Sequence, residues 1–350
     1  MMATQLCQRL GIVRPIIQAP MAGSQNWQLA VAVSEAGGLG SIPCGMLNAD
    51  QVVAEIQQFT RHSDKPYNLN FFCHTMPAMT PQVLSQWQQC LEGYYDELDV
   101  QPPETVSGLR LPYDDAVADR LEAYKPPVIS FHFGLPSAQQ VARIKSWGSL
   151  ILSSATTVEE GLWLERHGAD VVIAQGVEAG GHRAMFLTDD PGSQLGTIEL
   201  VRALKRTLQV PVVAAGGIAA ADDVEAMLAL GVAAVQVGTA YLLCDEAKTS
   251  AVHREALHQA LKAGTATTAL TNLFSGRLAR GISNRLMRDL DCVSDKAPAF
   301  PYAAVAIGPL RARAESQGRG DFSPLWSGTN TSGCQPISAG QLTHQLWPES

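Results

Sequence analysis

The sequence predicts a TIM (β/α)8 barrel with a helical subdomain inserted near the C-terminus. Eight short apolar runs alternate with amphipathic stretches along the chain. Most of these runs are rich in Val, Ile or Leu and do not alternate, which is typical of strands covered on both faces in a parallel sheet. The length of 350 residues suits one barrel of about 250 residues with additions. Repeated strand-helix units favour closure into a barrel over an open doubly wound sheet.

The elements follow in order from these patterns. Stretches such as WQLAVAVSEAG, VEEGLWLERHG and DDVEAMLALG predict helices between the strands. Each of them ends at a glycine, a residue that suits the left-handed position after a helix. The eight candidate strands are residues 16–19, 38–42, 67–71, 128–133, 150–154, 171–175, 211–215 and 233–238.

Two regions interrupt this rhythm and set the expected domain boundaries. The barrel should span residues 1–244, with a long insertion at about 72–126 that carries no clean strand and little order of its own. Residues 245–315 read as a mainly helical subdomain over the barrel mouth. The turn-rich tail, residues 316–350, should pack back onto the barrel.

Composition restricts the kind of partner. A formal charge of −8 argues against a nucleic-acid or anionic-membrane surface, since both need clustered Lys and Arg, and a small-molecule partner fits better. Seven scattered cysteines without C-x-x-C spacing indicate reduced thiols and no metal site. No apolar run reaches the ~20 residues of a membrane span, and the N-terminus lacks a signal-peptide pattern, so a cytoplasmic location is expected. The oligomeric state stays open.

Glycine turns follow the seventh and eighth candidate strands. The seventh ends at Gly216-Gly217, and the eighth runs through Gln236 and Val237 to Gly238-Thr239. Barrels of this type commonly bind a phosphate in these two loops. Glycine lets the backbone approach a phosphate closely, and the helix starts that follow offer unpaired N–H groups. Either turn alone would be read as a simple connection, but the pair predicts a phosphate-bearing ligand.

Other candidate ligand-binding residues lie at further strand ends. Asn70, His132 and Gln175 follow or close three strands, and amide side chains can both donate to and accept from a polar ring edge. Pro20-Met21, after the first strand, would give a flat ring an apolar floor. Each of these residues alone is more simply a turn or loop residue, so their common location at one rim carries the argument.

The loop after the sixth strand is the most informative segment. It reads QGVEAGGHR, residues 175–183. Gly180 and Gly181 allow a close approach to a ligand, and they present one imidazole, His182, whose ordinary pKa suits proton transfer near neutrality. A loop histidine is usually a surface hydrogen-bonding group. Its place in a glycine-rich loop at the rim makes His182 the candidate catalytic residue.

Taken in order, PIIQAPMAG, AVSEAGGLGSI, NLNFF, QGVEAGGHR, AAGGI, VQVGTAYL and FSGRLARGISNRLMRDL resemble the nitronate monooxygenase family. The resemblance implies an FMN-dependent barrel that oxidises alkyl nitronates such as propionate 3-nitronate with O2, giving a carbonyl product and nitrite or nitrate. It implies His182 as the active-site histidine, with His132 and Tyr302 as weaker candidates for substrate contact. The residues expected to hold FMN are Pro20, Met21, Asn70, Gln175, Gly180, Gly181, Gly216, Gly217, Gln236, Val237, Gly238 and Thr239.

The chain departs from the family pattern in two places. Ala184 stands where the family loop commonly has glycine, and the region after residue 295 lacks most of the tyrosines and the lysine of the best-studied members. Only Tyr302, Arg311 and Arg313 are available there as substitutes. The substrate is therefore less firmly predicted than the cofactor.

Several other side chains are more simply explained by structural roles. Trp326 and Phe322 are interpreted as packing residues. The helix-like spacing of four arginines favours a solvated basic face over an anion site. These arginines are Arg277, Arg280, Arg285 and Arg288.

Two other functions remain open from the sequence. An NAD(P)H-dependent flavin reductase acting on quinones or enoyl thioesters would use the same barrel, and the lack of a G-x-G-x-x-G motif does not exclude it. A barrel that binds a phosphorylated ligand without turnover is the remote alternative, since it would leave His182 without a task.

Overall fold

The computed structural model describes residues 2–347 and confirms the TIM barrel. Eight parallel strands form the sheet, in the order β1-β9-β8-β6-β5-β4-β3-β2. The sheet closes between its two ends through one parallel bridge, Ile17 to Leu39. The barrel strands are β1 (Ile16–Gln18), β2 (Gly40–Pro43), β3 (Tyr67–Phe72), β4 (Val128–His132), β5 (Leu150–Ala155), β6 (Val171–Gln175), β8 (Val212–Ala215) and β9 (Ala234–Val237). A separate three-stranded antiparallel sheet contains β7 (Gly181–His182), β10 (Thr268–Thr271) and β11 (Ala279–Ile282).

Helices surround the barrel and build its two ends. Capping residues fix several helix starts; for example, the Asn48 side chain accepts from the backbone of Gln51, whose own side chain accepts from the Asn48 backbone. The helices are α1 (Met2–Leu10), α2 (Trp27–Glu35), α3 (Ala49–His62), α4 (Pro81–Cys90), α5 (Glu92–Leu98), α6 (Asp115–Leu121), α7 (Ala138–Ser146), α8 (Val158–Arg166), α9 (Thr197–Thr207), α10 (Ala221–Ala229), α11 (Ala251–Ala263), α12 (Arg285–Asp289), α13 (Ala303–Ser316) and α14 (Ala339–Leu346).

The barrel interior is closed at its N-terminal end. Ile17, Leu152 and Val213 belong to a buried cluster inside the strands. Leu6 and Leu10 of α1 join the same cluster, so α1 covers this end of the barrel. The opposite rim, at the C-terminal ends of the strands, is left to hold a ligand.

The insertion is ordered, contrary to the expectation for residues 72–126. It forms α4, α5 and α6, and the first two share a buried core with α12 and α13. The Trp87 indole donates to the Ala303 carbonyl at 3.3 Å, and the Tyr95 hydroxyl donates to the Ala306 carbonyl at 2.7 Å. The insertion gains order because its apolar faces are covered by a segment more than 200 residues later in the chain.

The region 245–315 is only partly helical. Beside α11, α12 and α13 it contains β10 and β11, which the expectation of a mainly helical segment missed. Each strand has only four residues, which is too few to show a clear alternation of apolar and polar side chains in the sequence. Pairing of β11 with β7 brings this region to the loop after β6, through Ala279 opposite His182 and Arg280 opposite Gly181.

The tail ends in α14, which packs against α2 in the main core. Arg14 connects the two ends of the described chain, since its side chain donates to the carbonyls of Ala36 at 2.6 Å and Trp347 at 3.2 Å. None of the helices formed by residues 2–347 is long and apolar enough to cross a membrane.

Candidate active site

A cavity of about 1310 Å³, measured with its open mouth, lies at the C-terminal rim of the barrel. The rim prediction holds for most of the candidate residues, because the ends of parallel strands in a barrel converge on one edge. The predicted residues that line the cavity are Pro20, Met21, Asn70, His132, Gln175, Gly180, Gly181, His182, Gly216, Gly217, Gln236, Gly238 and Thr239.

Two candidates lie elsewhere. Val237 is buried in the core between the strands and the outer helices, because neighbouring residues of a strand face opposite sides and Gln236 takes the inner one. The Val237 carbonyl is also occupied, since it accepts from the Ala19 N–H at 2.8 Å. Tyr302 precedes α13 and does not line the cavity. Phe300, two residues earlier, instead contacts His182, with ring centroids 5.3 Å apart.

The two predicted glycine turns border the same cavity. Gly216 and Gly217 have φ of 119° and 74°, which side chains with a Cβ adopt only at a cost. A Cβ on Gly238 would lie 3.3 Å from the Ala19 Cβ. Glycine at these positions therefore keeps the backbone itself exposed toward the ligand space.

The C-terminal tail passes over the two glycine turns. The sequence did not predict this contact. The Gly328 N–H donates to the Thr239 hydroxyl at 2.9 Å, and the Asn330 amide donates to the Gly217 carbonyl at 3.0 Å. A Cβ on Gly180 would lie 2.5 Å from the Gly328 nitrogen. Residues 326–330, which we call the tail strap, thus bind the loops after β6, β8 and β9 to one another.

The loop that carries His182 is fixed by buried polar contacts. The Gln175 amide donates to the His182 carbonyl at 3.0 Å and accepts from the Ala184 N–H at 2.9 Å. Arg183 is fully buried and donates to the Gln175 carbonyl at 2.7 Å and the Gly176 carbonyl at 2.8 Å. Although Gln175 lines the cavity, its amide is engaged in holding this loop.

His182 has one side-chain hydrogen-bond partner among the described residues. Its Nε2 lies 2.9 Å from the Ser275 hydroxyl, which can also donate to the Arg277 carbonyl at 3.3 Å. Because a hydroxyl both donates and accepts, Nε2 can be protonated or not, and Nδ1 remains for a ligand. Burial lowers the pKa of His182 well below its usual range, and the nearby Arg110 lowers it further. The imidazole is therefore neutral at pH 7.

A second histidine supports the same arrangement. His132 Nε2 donates to the His182 carbonyl at 3.1 Å. Burial lowers the pKa of His132 to about 4, so it too is neutral at pH 7. Its ring is occupied in positioning the backbone of His182.

Aromatic side chains enclose His182. Phe72, Phe133 and Phe300 form a small buried cluster around it, and Trp326 lies 5.6 Å away from its ring centroid. Trp326 packs against Phe274, as a packing residue should, and it also lines the cavity, which the sequence did not predict. Phe322 is fully buried in the second core, as a packing residue should be. These rings make a largely apolar wall beside the imidazole.

The arginine set divides in two. Arg277 lies over the Phe133 ring at 4.1 Å and donates to the Met185 carbonyl, while Arg280 donates to the Val177 carbonyl at 2.7 Å. These two therefore support the active-site loop and do not form part of a solvated face. Arg285 pairs with Glu97 at 2.7 Å, and Arg288 is exposed, so both lie on the surface as expected.

Sequence reasoning also missed Arg110, which lines the cavity from the insertion. No motif surrounds it, and the insertion had been expected to lack order.

The comparisons with known proteins agree with this site. A family model described as "Nitronate monooxygenase" matches residues 4–349. The chain is 38% identical to a nitronate monooxygenase of Pseudomonas aeruginosa, over 99% of both chains. It is 38% identical to one of Paraburkholderia phytofirmans, covering 96% of this chain and 92% of the relative. A solved nitroalkane oxidase from Streptomyces ansochromogenes is 36% identical, with a TM-score of 0.87 over 98% of this chain and 96% of its own.

The fold and the site thus define an oxidoreductase of the flavin-dependent barrel class. The protein belongs to the nitronate monooxygenase family, whose members act in the oxidation of nitronates. The solved structure of FabK from Thermotoga maritima, 23% identical with a TM-score of 0.69, shares the fold.

Proposed function

We propose that this protein is an FMN-dependent nitronate monooxygenase that oxidises alkyl nitronates such as propionate 3-nitronate with O2. The products would be a carbonyl compound and nitrite or nitrate. Family membership supports the reaction class. The observation that carries the proposal is a neutral imidazole, His182, in a cavity whose described lining contains no Asp or Glu side chain. Such a cavity suits a substrate that is already an anion.

The residues at the rim fit FMN. Gly216 and Gly217 have the positive φ that leaves backbone beside a phosphate. The Gln236 Oε1 is buried without a hydrogen-bond partner among the described residues, which favours a ligand with a donor group at that position. Asn70 and Thr239 line the same space. When bound, FMN would supply the electron chemistry and the reaction with O2.

His182 would orient the nitronate. Ser275 can donate into Nε2, and the proton is then on Nδ1, where it can be donated to a nitronate oxygen. Its lowered pKa makes it a weak base, so removal of a proton from a neutral nitroalkane is less favoured than binding of the preformed anion. The aromatic wall around it excludes water and strengthens this hydrogen bond.

The seven cysteines are all free in the structure. This supports a cytoplasmic location, which we propose together with a small-molecule nitronate and O2 as the partners.

Oxygen uptake and nitrite release with propionate 3-nitronate test the proposal. The parent should be active, and His182→Asn should lose about 100-fold or more in kcat, the lower range for removal of one preorganised hydrogen-bond donor. His62→Asn is the matched control, since His62 is exposed on α3. The flavin released by heating should have the mass of FMN. No oxygen uptake by the parent would contradict the assignment.

Anaerobic mixing distinguishes the reductase function. Propionate 3-nitronate should bleach the flavin and NADH should not. Rapid bleaching by NADH alone would instead favour an NAD(P)H-dependent reductase. A colourless protein, or a yellow one inert to both, would favour a barrel that only binds a phosphorylated ligand.

A further inference from the structure

Arg110 enters the cavity from the insertion that joins β3 to β4. It lies between α5 and α6 and lines the same space as Phe72, His132 and His182. It is half-buried, and of the charged residues near His182 it has the largest effect in lowering the pKa of that imidazole. Arg110 therefore lies on the His182 side of the cavity.

Among the residues that the structure describes, its charge has no counter-ion. Of the cavity-lining residues that the structure describes, Arg110 is the only Lys, Arg, Asp or Glu. Within residues 2–347, neither a hydrogen bond nor an ion pair engages its guanidinium. The charged residue that most affects it is another cation, Arg311, which lowers its pKa together with burial. Arg311 itself pairs with Glu315 at 2.8 Å.

An unpaired, half-buried guanidinium presents several donors in a planar fork that matches a carboxylate. The cost of removing it from water is recovered only if an anion binds there. A ligand that fills the cavity without an anionic group at this position would leave the charge desolvated and unpaired. The cavity thus favours a ligand with an anionic group on its Arg110 side.

We propose that Arg110 binds the carboxylate of a nitronate substrate and selects short acids bearing a nitronate over simple alkyl nitronates. This inference rests on the proposed function and names the substrate class. The nitronate group would lie beside His182, and the carboxylate would lie at Arg110. In this role Arg110 is a specificity-determining residue that does not take part in the oxidation itself.

The test compares two substrates, propionate 3-nitronate and propyl-1-nitronate, in Arg110→Met and Arg110→Lys. For propionate 3-nitronate, kcat/KM should fall about 30-fold in Arg110→Met, mainly through KM, as expected for loss of a charged hydrogen bond. For propyl-1-nitronate, kcat/KM of Arg110→Met should change by less than about threefold. Arg110→Lys should retain part of the kcat/KM for propionate 3-nitronate that Arg110→Met loses. Arg120→Met is the control, since it removes the same charge from a residue on α6 that pairs with Asp50 on the surface.

A binding measurement separates this inference from the proposed function. Succinate carries a second carboxylate in place of the nitronate, and it should perturb the flavin absorption spectrum of the parent with a Kd at least tenfold lower than that of butyrate. Arg110→Met should abolish this preference. If the parent prefers succinate but oxidises neither nitronate, the proposed function fails, and Arg110 remains a carboxylate-binding residue whose substrate is not a nitronate.

Two outcomes would overturn the inference. One is an equal loss with both substrates in Arg110→Met, which would indicate a general structural role. The other is loss of flavin from Arg110→Met during gel filtration, which would place the FMN phosphate, and not a substrate carboxylate, at this arginine.

Discussion

Replacement of Gly180 by alanine tests whether the tail strap holds the flavin site together. A Cβ at Gly180 would lie 2.5 Å from both the Gly328 nitrogen and the Ser327 carbonyl carbon. Both are backbone atoms, so the strap would have to move by about 0.9 Å to restore ordinary contact. Gly264, at the end of α11, is a matched control, because a Cβ there meets no atom within 4 Å, only its φ of 72° opposes the change, and it does not line the cavity.

The expected energetic costs differ between Gly180→Ala and the control variant. Overpacking costs about 1–3 kcal/mol. Displacing the strap also weakens the bonds from Gly328 to Thr239 at 2.9 Å and from Thr329 to Glu178 at 3.0 Å, each contributing about 1 kcal/mol. We expect a loss of about 2 kcal/mol or more in flavin binding, or about 30-fold in Kd. Gly264→Ala should cost about 1 kcal/mol in folding stability through left-handed backbone strain.

In the assay, the flavin-free protein is titrated with FMN, and binding is monitored by the quenching of flavin fluorescence. Urea unfolding of each variant is measured separately. Gly180→Ala should bind FMN about 30-fold more weakly than the parent. Gly264→Ala should unfold at lower urea but bind FMN within about fivefold of the parent. Equal FMN affinity in Gly180→Ala and the parent would refute the strap as a flavin-retaining element.

Three further predictions concern single contacts. Asn330→Ala removes the bond from Asn330 to the Gly217 carbonyl at 3.0 Å and should weaken FMN binding about fivefold, whereas unchanged binding would exclude Asn330 from the site. Glu160 is fully buried, and its carboxylate accepts from the backbone N–H groups of Thr156 at 2.7 Å and Phe186 at 2.6 Å. Glu160→Ala should therefore lower the free energy of unfolding in urea by about 3 kcal/mol. A loss below about 1 kcal/mol would contradict this. Burial lowers the pKa of His74 and of His253 to about 4, and below pH 6.5 the unfolded chain therefore binds protons that the folded chain does not. Stability should fall by about 1 kcal/mol for each histidine between pH 7 and 5.5, and His253→Phe should show a shallower decline; an identical slope would refute this account.

The barrel could be predicted because each of its strands is encoded by a short, continuous segment of the sequence. Each strand is a short apolar run, as in Val171–Gln175, and the geometry of a parallel barrel then brings the strand ends together. This is why Asn70, Gly217 and His182 were found to line one cavity although they lie far apart in the sequence.

The missed features depend on contacts between distant segments. Leu84 and Trp87 of α4 and Leu91 just after it have helical spacing and offered a signal, but the partner surface on α13 lies more than 200 residues away. The tail strap has no period of its own, and its bonds to Thr239 and Gly217 span 89 and 113 residues. Local pattern does not reveal such pairing.

The single bridge between Ile17 and Leu39 is where the barrel closes, and the next strand, β2, packs against α2, which α14 covers. During synthesis the N-terminal strands leave the ribosome long before residues 326–346. Until those residues emerge, α2 lacks the outer cover that α14 gives it, and the cavity lacks Trp326 and Asn330. A nascent chain can therefore form its early strand-helix units in sequence, but its cavity is complete only when residues 326–330 have been made.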